Sequence, residues 1–190
     1  TNFATEAIAQ TFNGSADFGN KVSCVISRNG DLVHNMYLQV QVPKLNQTQS
    51  SATYVNWVNG FGNALVKEVE VEIGGQQIDK HYSEWLDIWG ELNVSDSQRG
   101  SYDAMVGNYN STTGLKQSGA VARTFYVPLK FWFNRNPGLA LPLIALQYHE
   151  VKIELEFRPK AECYVSTGGS LNSCGVSVSG SVDAFGFHSL

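Results

Sequence analysis

Val66-Lys67-Glu68-Val69-Glu70-Val71-Glu72-Ile73-Gly74-Gly75-Gln76-Gln77-Ile78-Asp79-Lys80-His81-Tyr82 is the stretch whose pattern decides the fold. Leu65, Val69, Val71 and Ile73 fall on one side of an extended chain, and Val66, Glu68, Glu70 and Glu72 on the other. That period of two marks a strand with one buried and one wet face. Only Lys67 is out of step, on the apolar side. Gly74-Gly75 then supplies the two positive-φ residues that a type I′ turn needs, so a second strand returns from Gln76.

The same alternation recurs along the chain. Val151, Ile153, Leu155 and Phe157 oppose Lys152, Glu154, Glu156 and Arg158, and shorter versions run through Val22-Cys24-Ile26, Leu38-Val40-Val42, Phe125-Val127-Leu129-Phe131 and Val176-Val178. Asn29-Gly30 is read as another tight hairpin turn. Eight strands are expected, near 7–13, 21–27, 32–42, 64–73, 76–82, 123–133, 150–158 and 175–187. Eight antiparallel strands with unequal connections predict two packed sheets, an all-β sandwich. One helix interrupts them: Ser83 is its expected N-cap, Glu84 and Asp87 suit the positive end of its dipole, and Trp85, Ile88, Trp89 and Leu92 recur at helical spacing. The apolar stretch 138–146, bracketed by Pro137 and carrying Leu141 and Pro142, reads as a buried irregular or short helical plug. Trp85, Trp89, Pro137 and Leu141 are therefore the candidate structural anchors.

A chain of 190 residues fits one domain, and at that size roughly 70% of the unfolded surface is hidden on folding. Charged residues make up 16% and hydrophobic residues 43%, a globular balance. Seventeen acids oppose thirteen bases, and the bases are scattered, which argues against direct nucleic-acid binding, since phosphate recognition needs clustered Lys and Arg. The apolar run 139–146 is too short to span a bilayer, so no membrane insertion is expected. Cys24, Cys163 and Cys174 form no CxxC pair and read as idle buried thiols in preference to a Cys163–Cys174 disulfide. Two long polar connections, over 43–63 and 93–122, are the segments to face solvent or a partner.

Catalytic and cofactor motifs are missing. His34, His81, His149 and His188 lie far apart with no metal-ligand spacing, and the glycines match neither a P-loop nor GxGxxG, so no metal and no cofactor is expected. Asp79, His81 and Ser83 share a strand face, but their side chains should emerge stepwise instead of converging as a triad, and no GxSxG elbow lifts a serine. The row Glu68, Glu70 and Glu72 reads as an edge or inter-subunit surface, or as a partner for basic groups. In 125–133 the odd positions are core candidates, leaving Tyr126, Lys130 and Trp132 on the other face, where an exposed Trp132 would mark a contact surface or a sugar platform. Four N-x-S/T sequons occur, at Asn13, Asn46, Asn93 and Asn110, of which Asn46 and Asn110 in the long connections are the candidate glycosylation sites.

Longer ordered blocks carry a resemblance. The segment 71–82, Phe125-Tyr126-Val127-Pro128-Leu129 and the run 137–151 are joined by Thr1-Asn2-Phe3-Ala4, Asn13-Gly14-Ser15, Phe18-Gly19-Asn20-Lys21-Val22-Ser23 and Ile26-Ser27-Arg28-Asn29-Gly30-Asp31-Leu32. Together they resemble the major capsid protein of large icosahedral nucleocytoplasmic double-stranded DNA viruses, nearest to the algal-virus type. The resemblance implies an eight-stranded jelly roll over 1–190, the first of two in the family, with an N-terminal arm and a second jelly roll lying outside this chain. It further implies a homotrimer forming a pseudo-hexagonal capsomer of an icosahedral shell, contacts with neighbouring capsomers and minor capsid proteins, synthesis in the host cytoplasm and residence in the virion capsid. The family has no catalytic residues to carry over. A single jelly-roll minor or vertex capsid protein and a carbohydrate-binding β-sandwich are the alternatives.

Overall fold

The computed structural model describes residues 4–43, 54–109, 122–167 and 184–189. Through them run the strands β1 (Glu6–Gln10), β2 (Lys21–Val25), β3 (Leu32–Val42), β4 (Tyr54–Trp57), β5 (Val66–Ile73), β6 (Gln76–Tyr82), β7 (Arg123–Pro128), β8 (Leu141–Pro142), β9 (Val151–Phe157), β10 (Tyr164–Thr167) and β11 (Ala184–Ser189). The helices are α1 (Phe61–Leu65), α2 (Ser83–Asn93), α3 (Asp96–Val106) and the single turn α4 (Trp132–Arg135). All named strand pairs are antiparallel. One sheet has the order β1-β11-β3-β7 with β8 beside β3, a second has the order β2-β9-β5-β6, and β4 pairs with β10. Seven of the eight expected strands have counterparts, although the one expected over 123–133 ends at Pro128 and the chain turns into α4 at Trp132. Of the expected strand 175–187, residues 175–183 with Val176-Val178 lie outside the described residues and β11 begins at Ala184; β4, β8 and β10 are additional.

The sandwich closes through side chains of alternating parity. Val22, Cys24, Val69, Val71, Ile153 and Leu155 from the second sheet join Met36, Leu38, Val40, Phe125 and Val127 from the first in one buried cluster. Two sheets sharing one core must pack face to face. Strand β9 is the clearest case: Val151, Ile153, Leu155 and Phe157 are buried, with Lys152, Glu154 and Glu156 turned outward.

The Lys67 anomaly is a β-bulge. Val66 pairs with Phe157 and Glu68 with Glu156, so two residues of β5 advance against one of β9 and Lys67 is the extra residue. Parity resets there, which buries both Val66 and Val69 and frees the Lys67 side chain to reach Glu156 on the outer face. The turn at Gly74-Gly75 has φ of 60° and 83°, as the hairpin requires. The second expected hairpin does not form. Strand β2 belongs to one sheet and β3 to the other, and Gly30 is not among the residues of positive φ, so Asn29-Gly30 lies in a sheet-to-sheet crossing.

Three helical readings change. The stretch 93–122 is not wholly a loop, because α3 occupies Asp96–Val106. Tyr82, not Ser83, is the N-cap of α2, and the buried residues of that helix are Ser83, Leu86 and Gly90, while Ile88 and Leu92 are 51% and 78% exposed. The reason is α3: at Gly90 a Cβ would stand 2.8 Å from the Tyr102 hydroxyl, so close helix contact selects the Gly90 face over the bulkier one. In 137–149 the chain forms a 3₁₀ turn at Pro137–Leu139, then β8 against Leu32 and Val33; Leu141 and Leu143 enter the core, whereas Pro137, Ile144 and Tyr148 stay exposed. It is a partly inserted edge, not a buried plug. Cys24 and Cys163 are free buried thiols, pushed up to about 11 and about 12 by burial; Cys174, Asn46 and Asn110 lie outside the described residues.

Candidate functional site

Asp79 and His81 share the inner side of edge strand β6, paired with Val71 and Val69. They converge more than their strand spacing predicts: His81 Nε2 stands 3.2 Å from Asp79 Oδ2. The triad ends there, because Ser83 has entered α2 and its hydroxyl accepts from Arg158 Nη2 at 2.7 Å. His81 is only 7% exposed and its ring stacks on Phe131 at 4.9 Å, with Trp85 at 6.1 Å. Burial holds its pKa below the ordinary value, helped by the nearby Arg135 charge and opposed by Asp79. A buried neutral imidazole wedged between aromatic rings is a packing element.

A pH dependence follows. The unfolded chain binds the His81 proton first, at about pH 6.5, and the folded chain only at a lower pH. The fold therefore loses stability as pH falls below about 6.5, and the loss stops growing once the depressed folded-state pKa is passed. Urea denaturation of the parent and of His81→Phe at pH 7.5 and 5.5 checks this: the variant should show the smaller drop, and equal drops would remove His81 as the cause.

A cavity of about 200 Å³ opens between α1, α2 and α3, lined in part by Asn59, Asn63, Asp87, Arg99 and Tyr102. Asn63 Nδ2 donates to Asp87 Oδ1 at 2.7 Å, and burial raises the Asp87 pKa. Arg99 is already engaged by Glu91 and Asp103. The lining contains no His, Cys or Ser. Among the described residues no group of three or more His, Cys, Asp and Glu side chains is arranged to hold a metal ion, and no helix is long and apolar enough to cross a membrane.

The two broad outer faces differ in chemistry. On the β2-β9-β5-β6 sheet, Lys21 bridges Glu70 at 2.6 Å and Glu154 at 2.9 Å, Lys80 reaches Glu68 at 2.7 Å, Lys152 reaches Glu72 at 3.8 Å, and Lys67 pairs with Glu156. The Lys21 ammonium holds the Glu154 carboxyl below the usual carboxylate range. The glutamate row thus partners basic groups, and the edge expectation is corrected, because β5 lies between β9 and β6. On the other sheet, the sides of β3 and β7 turned from the core carry Tyr37, Gln39, Gln41, Thr124 and Tyr126, none of them charged, with Gln39 opposite Tyr126 and Gln41 opposite Thr124. This asymmetry was readable in the alternating residues of each strand, but the sheet assignment that collects them into two faces was not.

Around α2, the Trp85 and Trp89 rings lie 5.7 Å apart, both half-buried, and the Arg135 guanidinium of α4 sits 5.8 Å and 4.5 Å from their centroids. Trp132 offers no open platform: it is partly buried and packs edge-on against Phe133 at 5.0 Å.

Comparison with known proteins gives this architecture its relatives. Residues 1–185 match the family described as major capsid protein N-terminus. The major capsid protein of Phaeocystis pouchetii virus is 50% identical over 186 residues, covering 86% of this chain and 36% of that protein. That of Pyramimonas orientalis virus is 51% identical over 179 residues, covering 94% of this chain and 44% of its relative. Among solved structures, the quasi-atomic model of the PBCV-1 virus capsid superposes with a TM-score of 0.76 at 38% identity, over 100% of this chain and 42% of that one. The chain spans 36–44% of the length of these relatives, and by sequence and fold it belongs to the major capsid protein N-terminus family.

Proposed function

We propose that the chain is the first, eight-stranded jelly roll of a major capsid subunit that assembles as a homotrimer into pseudo-hexagonal capsomers of an icosahedral virion shell, with a geometric and not a catalytic role. Strands β1, β11, β3 and β7, with β8 beside β3, and strands β2, β9, β5 and β6 are the two layers of that jelly roll. The observation that carries the reading is the pair of unlike outer faces on a domain similar throughout to a virus capsid structure. A shell needs repeated complementary surfaces, about 800 Å² per partner, and the uncharged Tyr37, Gln39, Gln41, Thr124 and Tyr126 face is the cheaper one to desolvate against a sister domain. The Lys/Glu face carries its countercharges within itself, which limits repulsion between copies. Leu141 in the core and the Trp85, Trp89 and Arg135 stack anchor the block, with Pro137 directing the turn that precedes β8. Neighbouring capsomers and minor capsid proteins are the further partners, and synthesis takes place in the host cytoplasm.

Sedimentation velocity on this chain beside the same protein with its native downstream sequence tests the proposal. The longer protein is expected to sediment as a compact trimer and the single domain as a monomer or loose assembly. A downstream sequence without a second jelly roll, together with a closed oligomer of the single domain, would replace the reading by that of a minor or vertex capsid protein.

A further inference from the structure

Three Asn-Gly pairs occur in the sequence, at Asn13-Gly14, Asn29-Gly30 and Asn59-Gly60. Such pairs are chemically labile, because glycine lacks a side chain to keep its backbone nitrogen from the asparagine amide carbon. The attack needs rotation about the asparagine Cα–C bond and a glycine N–H free of other partners. The structure treats the three pairs differently.

At Asn59-Gly60 both requirements fail. Gly60 N–H donates to Gly107 O at 3.0 Å, Asn59 Nδ2 donates to Asn108 Oδ1 at 2.6 Å, and Asn59 Oδ1 accepts from Tyr109 N at 2.6 Å. At Asn13-Gly14 the peptide plane is fixed, since Asn13 exchanges backbone bonds with Ser23 at 2.7 and 3.3 Å. Asn29 is exposed, and within the described residues neither its side chain nor the Gly30 N–H has a hydrogen-bond partner. The reason is topological: 26–31 crosses between sheets, so no hairpin ladder holds it.

We infer that Asn29 is a spontaneous modification site of this protein, deamidating through a succinimide while Asn13 and Asn59 are protected by the fold. The Gly30 nitrogen loses its proton and bonds to Asn29 Cγ, the Cγ–Nδ2 bond breaks, and ammonia leaves. Water then opens the five-membered ring at either carbonyl, giving an aspartyl or an isoaspartyl residue at position 29 and one new negative charge.

The location gives the change a structural consequence. Arg28 donates to the carbonyls of Gln147, Leu146 (2.8 Å) and His149 (2.9 Å), and Asp31 O accepts from Leu143 N at 2.8 Å. Both anchors of 143–149 therefore flank the modified residue. The isoaspartyl product adds a methylene to the backbone between them, so it loosens the segment that displays Ile144 and Tyr148.

Incubation of the folded protein at pH 8.5 and 37 °C, followed by peptide mapping, tests the inference. The expected result is a gain of one mass unit, with an isoaspartyl fraction, confined to the peptide containing position 29 and abolished in Gly30→Ala. The peptides containing Asn13 and Asn59 should gain it only when the incubation is repeated in denaturant. Chymotryptic nicking at Tyr148 should rise with the isoaspartyl fraction. Unchanged mass at position 29 in the folded protein, or equal conversion at all three pairs, overturns the inference.

Discussion

Trp57→Ala lowers the stability of the domain by about 3–5 kcal/mol, the range for removing a large aromatic side chain from a core. Trp57 is fully buried, its ring lying 4.8 Å from Phe61 and stacked on Phe18 at 6.1 Å, and Phe61 continues the chain of rings to Phe125 at 5.3 Å. The indole therefore ties β4, the start of α1, the segment before β2 and strand β7 into one cluster. Since folded domains are stable by only about 5–15 kcal/mol, such a loss removes a large share of the margin. Trp85→Ala is the informative comparison. Its ring is half-buried, and its contacts are Trp89, His81 and the Arg135 cation, so its removal should lower stability by roughly 1–2 kcal/mol. Urea denaturation of both variants decides the matter, and a Trp85 effect equal to or above that of Trp57 would reverse the ranking.

The contrast between these two tryptophans measures what the sequence discloses. Alternation locates strands because its period is local, so β9 and β5 could be read directly, and even Lys67 announced the bulge by breaking the pattern. Trp57 gave no such signal. It sits within 43–63, which polar composition marked as a connection, yet Tyr54-Val55-Asn56-Trp57 is a strand whose partner, Tyr164–Thr167, is more than a hundred residues away. The spacing of Trp85, Ile88, Trp89 and Leu92 locates helix α2 but not its buried face, since the choice between Leu86 with Gly90 and Trp85 with Trp89 is made by α3 and Arg135. Asn29-Gly30 and Gly74-Gly75 looked alike as turns; only the sheet to which each flanking strand belongs separates a crossing from a hairpin. The candidate interaction surfaces followed the same rule. Glu68, Glu70 and Glu72 were visible as a row, whereas their countercharges on β2, β6 and β9 required the register.

Gly107→Ala should lower the stability of the domain by about 2–5 kcal/mol. Two effects add. Gly107 is the C-cap of α3 with φ of 78°, a conformation that costs an L-residue about 1–2 kcal/mol. A Cβ there would also stand 2.7 Å from Phe125 Cε1, and overpacking of that kind costs about 1–3 kcal/mol. The ring has little freedom to retreat, because Phe125 is 2% exposed and already against Phe61. The Gly107 carbonyl meanwhile accepts from Gly60 N, so a shift of the cap is transmitted to the start of α1. Gly75→Ala separates the two effects: Gly75 has φ of 83° but nothing within 4 Å of the added methyl, so it should lose only the backbone part, about 1–2 kcal/mol. Equal losses for the two variants in urea melts would show that the Phe125 contact contributes nothing. A clearly larger loss at Gly107 assigns the difference to the packing of Phe125 between the α3 cap and α1, the junction on which the helical end of the sandwich rests.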